Sequence, residues 1–335
     1  MNYNTFMAML NRRSNVKLRD AREILEELYA QANGSEDAID EYCKIYDLID
    51  IILQQKTYEG NDSDFHNLAV VCALQEDYEA ACQILDKGLA TYQYSSDLLA
   101  DYLNYGMQCG RKEQCAIVYK KLQEKKDCWN WRAYLFSIDY LKCLSSVDGV
   151  DVDEDVERLI KEFQKNQPEK EEAYLAEAEY LFDKNMITSK DENERSFVSV
   201  LEYATSEKCP TRRTPKCDLK LADYYFDNGI HLNKAIELLN RCKKNSSEVQ
   251  ESINRKYVYL LLALSYMNQY YEMKKSLNKD DESIQQIIMN VYENYHKAAT
   301  GSHDSRVRGC KHLIEVFVIE SGVAYPYDDN IVNYF

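Results

Sequence analysis

Apolar residues recur along this chain at spacings of three and four, the mark of helices that bury one stripe. Leu18, Ala21, Leu25 and Leu28 form one stripe. Ile39, Tyr42, Cys43, Tyr46, Ile49 and Leu53 form a second, with the breaker Asn33-Gly34-Ser35 between the two. Gly60-Asn61-Asp62-Ser63 punctuates the chain, and from Phe65 the stripes begin to repeat. Phe65, Leu68, Ala69, Cys72, Ala81, Leu85 and Gly88 fall opposite Leu99, Tyr102, Leu103, Gly106, Cys115, Tyr119 and Leu122, every offset being 34 residues. A further 34 residues leads to Ala133, Phe136, Ser137 and Tyr140.

These residues carry a family resemblance. The tetratricopeptide pattern reads W-x2-L-G-x2-Y and then A-x3-F-x2-A over about 34 residues. The first unit here reads Phe65-x2-Leu68-Ala69-x2-Cys72, then Ala81-x3-Leu85-x2-Gly88, with Asp77-Tyr78 at the turn. Leu221-Ala222-x2-Tyr225 leads through Gly229 to Ala235-x3-Leu239-x2-Cys242, and Tyr259-x2-Leu262-Ala263-x2-Tyr266 pairs with Val291-x3-Tyr295-x2-Ala298. The chain thus resembles the tetratricopeptide family. The resemblance implies an all-α fold, a right-handed α-α superhelix of antiparallel helix pairs. One pair cannot bury its own apolar face, so pairs must stack.

Between the clear repeats the period slips. Ser145-Ser146-Val147-Asp148-Gly149 is predicted as a loop, with Asp153 capping a helix that holds Val156, Leu159, Ile160 and Phe163. Asn166-Gln167-Pro168 ends that helix, and the next carries Tyr174, Ala178 and Leu181. Ser189-x-x-Glu192 reads as a capping box for the helix of Phe197, Val200, Leu201 and Ala204, and Ser247-x-x-Gln250 caps a later one. Cys209 to Pro215 is a proline-bracketed joint, and Asn278 to Ser283 a charged loop. A last long helix is expected to carry Val307, Cys310, Leu313, Ile314 and Phe317. The expected divisions are 1–58 (N-terminal helices), 59–145 (regular repeats), 146–208 (degenerate repeats), 209–320 (C-terminal repeats) and 321–335 (an aromatic and acidic tail), within one continuous solenoid. The tail is expected to fold back over the last repeat or to dock on another protein.

Composition narrows the function. Four prolines and ten glycines leave few breaks, which favours long helices. With 57 acidic against 41 basic residues the net charge is −16, which argues against phosphate-backbone contacts and so against nucleic acid as a partner on its own. Arg12-Arg13, Arg212-Arg213 and Lys243-Lys244 are short basic pairs flanked by acids or polar residues. No leader-like N-terminus and no apolar run long enough for a membrane span are visible. The 11 cysteines lack CxxC spacing and fall within helical patterns, which points to a reducing, cytoplasmic setting.

Motifs for chemistry are missing: there is no phosphate-binding glycine loop, no dinucleotide fingerprint, no H-E-x-x-H and no nucleophile elbow. Cys310 beside His312 could be imagined as a dyad, but Cys310 falls on an apolar stripe. Cys209, Cys217 and His231 have the wrong spacing for a zinc knuckle. No catalytic residue, metal ligand or cofactor is expected.

The resemblance instead implies a groove lined by the first helices of each pair. Its positions fall here on Asp97, Ala100, Asp101, Asn104 and Gln108, on Trp131, Tyr134 and Ile138, on His66 and Val70, and on Lys220, Asp223, Leu264 and Asn268. Of these, Asp97, Asp101, Asn104, Gln108, Trp131, Tyr134 and Asp223 are the candidate partner-binding residues. They suit a basic or aromatic-bearing protein segment. Trp131 and Tyr134 could equally pack on the helix after them. Tyrosine is abundant, at 28 copies, and Tyr92, Tyr105 and Tyr134 are further candidates for exposure. The leading expectation is a non-catalytic interaction scaffold or adaptor. A peptide-responsive regulator of a partner protein is the alternative, and an enzyme on a helical scaffold the third.

Overall fold

The computed structural model describes residues 3–10, 16–33, 38–54, 58–189, 194–211, 214–245, 254–275, 281–300 and 305–327. Among these the fold is all-α, apart from a parallel bridge of Val16–Lys17 against Tyr58–Glu59. Contacts divide the chain into two compact units, Met1–Asn166 and Gln167–Phe335.

The first unit opens with a short helix, α1 (Tyr3–Leu10), and continues as four helix pairs. These are α2 (Leu18–Asn33) with α3 (Ile39–Gln54), α4 (Asp62–Ala73) with α5 (Tyr78–Thr91), α6 (Ser96–Gln108) with α7 (Lys112–Glu124), and α8 (Trp131–Asp148) with α9 (Asp153–Asn166). The members of each pair pack together, and the first helices also pack in order, α2 on α4, α4 on α6 and α6 on α8. The second unit has α10 (Glu171–Asp183) with α11 (Phe197–Ala204), α12 (Pro215–Asp227) with α13 (Leu232–Asn245), and α14 (Arg255–Met273) with α15 (Glu282–Ala299). It ends in α16 (Ser305–Gly309) and α17 (Lys311–Ser321).

A shared device turns the chain at the end of four first helices. After α4, the Glu76 N–H donates to Ala73 at 3.0 Å and the Asp77 N–H reaches back to Cys72 at 3.1 Å. Gly110 and Arg111 do the same after α6, Asn185 and Met186 after α10, and Gly229 and Ile230 after α12. This double closure satisfies two orphan carbonyls and needs a left-handed residue. Those residues are Glu76, Gly110, Asn185 and Gly229, with φ of 61°, 77°, 59° and 62°. Close packing sets a second constraint. A Cβ on Gly88 would lie 2.8 Å from Cγ of Phe65 and 3.0 Å from Cδ1 of Leu98, so α5 can approach α4 and α6 only without a side chain there.

In the second unit a carboxylate caps a neighbouring helix. Oε2 of Glu171 accepts from the Lys216 and Cys217 N–H groups at 2.9 and 3.1 Å, in the first turn of α12. Thr214, at the N-cap position of α12, donates instead to Asp218 at 3.2 Å. Asp218 is buried and also accepts from the Arg241 guanidinium on α13, while Arg241 donates to the Thr205 carbonyl at the end of α11 at 3.2 Å. Chain beyond α17 folds back on α15. The Tyr292 hydroxyl donates to the Val323 carbonyl at 2.7 Å, and His296 stacks on Tyr327 at 4.3 Å. Val323 to Tyr327 thus cover the last core; residues 328–335 lie outside the described residues.

Several local expectations need correction. Helix α8 continues to Asp148 through the predicted loop and stops at Gly149, which is left-handed with φ of 67°. The capping box of α11 is Ser196 with Ser199, seven residues past Ser189, whose hydroxyl donates to Glu194. Asn254 caps α14, and Ser247 and Gln250 lie outside the described residues, as do Arg12-Arg13, Gly34-Ser35 and Arg212-Arg213. The expected last long helix is broken at Cys310, with Leu313 on an exposed face.

Candidate functional site

The groove positions are built on three consecutive first helices of the first unit. Helix α4 begins with a capping box between Asn61 and Asp64, and places His66 on its half-buried side. Helix α8 begins at Asn130, whose side-chain oxygen accepts from the Ala133 N–H at 3.0 Å. The same Asn130 donates to Oδ1 of Asp97 in the first turn of α6 at 2.6 Å. One pair earlier, Ser95 donates to Oδ2 of Asp62 at 2.8 Å. Helices α6 and α8 are thus each latched at their start to the first helix before them.

Asp101 departs from its expected place. Its side chain has no exposure at all, so it offers nothing to a partner. One carboxylate oxygen meets Nδ1 of His66 on α4, and the other accepts from Nη2 of Arg132 on α8. A buried carboxylate must be paired and hydrogen-bonded, and here the pairing spans three helices. The guanidinium of Arg132 lies 5.7 Å from the ring centroids of both Trp131 and Phe136. Its Nε is buried without a hydrogen-bond partner among the described residues. Tyr105 is buried beside this cluster, stacked on Tyr78 at 6.1 Å. Its hydroxyl is pushed well above the usual phenol range, mainly by burial and then by Asp101.

Tyr134 is likewise a core residue, only 2 % exposed. It stacks on Phe163 of α9 at 5.0 Å and 8°, meets Trp129 edge-on, and bonds to Asn166 at 2.8 Å. Ala100 and Ile138 are buried, and so is Tyr105, which corrects the expectation of an exposed ring there. What remains accessible is more limited. Gln108 is exposed and Asn104 half-buried, and neither side chain has a hydrogen-bond partner among the described residues. Trp131 is half-buried, with His66 and Arg132 side chains 21 % and 20 % exposed.

In the second unit, Asp223 accepts from the Tyr257 hydroxyl at 2.6 Å, and Arg306 covers the Tyr257 ring at 4.1 Å. Lys220 pairs with Glu179 at 3.4 Å. Asp227, one turn from Asp223, has its carboxyl raised by burial and by that neighbouring charge. His312 is exposed and meets Glu315 at 3.0 Å, and burial raises the Cys310 thiol, the wrong direction for a nucleophile. Cys209 accepts from Thr211 at 3.1 Å, Cys217 is buried against Glu171, and His231 lies edge-on to Tyr225.

Sequence reading missed Arg132. The available signal was Asp101 itself, an acid between Leu98 and Tyr105 on an apolar stripe, which demands a cation about one repeat away.

No family model matches the chain, and no curated protein matches it. A solved structure that it resembles is a monomeric mutant of IFIT1 with Gppp-AAAA. The identity is 14%, the match covers 92% of this chain and 67% of that one, and the TM-score is 0.43. A likeness of that size transfers neither fold nor ligand, and the helical pairing above stands on its own hydrogen bonds and packing. Among the described residues no helix is long and apolar enough to cross a membrane.

Proposed function

We propose that this protein is a non-catalytic interaction scaffold, and that α6 and α8 of the first unit receive an extended segment of another protein. The observation that carries this reading is the contrast on one surface. The charged residues there are spent internally, Asp97 on Asn130 and Asp101 on His66 and Arg132. The amides of Asn104 and Gln108 are unspent. An amide both donates and accepts, which suits the backbone of an extended segment. Trp131, with Phe136 beyond the Arg132 guanidinium, supplies aromatic area at low entropic cost. Asp101 is offset by Arg132, while Asp97 keeps its charge against the neutral Asn130 amide, so this surface suits an aromatic-bearing segment and Asp97 favours a basic group on it. All 11 cysteines are free thiols, which suits a reducing compartment and a cytoplasmic setting.

The test compares the native chain with an Asn104→Ala, Gln108→Ala double variant in capture from source-cell lysate, followed by titration of the purified partner. Loss of the two amides is expected to weaken binding about tenfold or more, at roughly 1 kcal/mol per hydrogen bond, while helicity and melting stay unchanged. Equal affinity in both proteins would remove α6 from the interface.

A further inference from the structure

The first unit holds a pair of thiols in contact that the proposed surface does not use. Cys82 lies on α5 and is fully buried, while Cys109 ends α6 and is half-buried. Their sulfurs are 3.7 Å apart, and both are free. Cys109 is followed by the left-handed Gly110, where the chain leaves its helix and has room to adjust. Arg111, next along, forks onto Glu79 at 2.5 and 3.2 Å and onto Asp86 at 2.7 Å, holding this turn against α5. A third thiol, Cys115 on α7, is buried and directs its S–H to the Tyr102 carbonyl at 3.8 Å.

We propose that Cys82 and Cys109 are an oxidation site, closing to an intrachain disulfide when the protein meets a peroxide. Cys109 is the thiol a solvent-borne oxidant reaches. Its thiolate attacks one oxygen of hydrogen peroxide: the S–O bond forms, the O–O bond breaks, and after protonation water leaves. The sulfenic acid so formed is met by Cys82. The Cys82 sulfur attacks the Cys109 sulfur, the S–S bond forms, the S–O bond breaks, and the departing hydroxide takes up the Cys82 proton as a second water. Two thiols are oxidised by two electrons and one peroxide is reduced to two waters. A disulfide needs the sulfurs about 2.0 Å apart, a closure of under 2 Å that side-chain rotation and a small shift of the α6 end supply. Burial raises the Cys82 thiol far above its ordinary value, so the second step quickens as pH rises. Gln108 directly precedes Cys109, so on the function proposed above oxidation would also fix the end of the recognition helix; the chemistry itself does not depend on that reading.

The experiment treats the purified full chain with hydrogen peroxide, blocks remaining thiols under denaturing conditions, and maps peptides by mass. The expected product is a Cys82–Cys109 linked peptide, lighter by two hydrogens and returned to free thiols by a dithiol reductant. Cys82→Ala is expected to leave Cys109 as a sulfenic acid that a dimedone-type reagent traps. A Cys109–Cys115 link, over-oxidation of Cys109 without any link, or a Cys109 that stays reduced would each overturn the proposal. The mapping is done on the native chain, so the test holds even where a variant folds poorly.

Discussion

Two residues show how local chemistry sets the cost of this fold. Glu76 occupies a left-handed position that Gly110 and Gly229 fill without strain at the matching turns. A side chain there costs on the order of 1 kcal/mol. Glu76→Gly is expected to stabilise the first unit by roughly 0.5–1 kcal/mol in urea unfolding, and a loss of stability would show that Glu76 is held by contacts beyond its turn. Asp101 works the other way. Asp101→Ala would leave His66 and Arg132 facing an empty buried site and is expected to cost about 3–5 kcal/mol. A loss below about 1 kcal/mol would contradict the role of that carboxylate in joining α4, α6 and α8. The sequence showed Asp101 on a helix at a groove position, yet a groove position and a buried latch look identical until the partners one repeat away are placed. The same holds for Tyr134, whose stacking on Phe163 depends on where α9 returns.

At the scale of helices, start signals proved harder to read than the helices themselves. The stripes of α2 and of α4 to α7 were legible because their periodicity is strong and their turns are short. The stripe expected on α3 was misplaced, since Ile39, Tyr42, Cys43 and Tyr46 are exposed and the buried face is Ile45, Leu48, Ile49 and Ile52. Caps were less legible, because Ser and Asn are frequent and only geometry selects one, as with Ser196 over Ser189. The cap that Glu171 supplies to α12 has no sequence signature, being 45 residues from the first N–H it serves. It has a measurable consequence. Burial outweighs its two N–H bonds and lifts the Glu171 carboxyl from 4.5 to about 7. Asp218 rises likewise, from 3.8 to about 6, through burial against the pull of Arg241. A raised acid binds its proton more tightly in the folded state, so stability falls as pH climbs from about 4.5 to 7. Glu171→Gln keeps an oxygen for the N–H groups and cannot ionise. The stability lost between pH ~5 and pH ~8 is expected to shrink by about 2–3 kcal/mol in that variant. Glu171→Ala should instead destabilise at both pH values, since two buried N–H groups lose their acceptor. An unchanged pH profile in Glu171→Gln would contradict the account.

At the scale of the molecule, the 34-residue offset from Phe65 announced stacked helix pairs, and the two units are each built that way. The offset faded where connections lengthen, between α10 and α11 and between α14 and α15, because a repeat is defined by its packing and not by loop length. The candidate surface was legible only in part: its helices and its amides were visible in the sequence, and the internal hydrogen bonds that occupy Asp97 and Asp101 were not. Hydrogen exchange on the complex with a purified partner tests the central claim most directly. Binding along the first helices predicts added protection of backbone amides in Ser96–Gln108 and in the first half of α8. Protection confined to α5 and α7, or to the chain after α17, would contradict it.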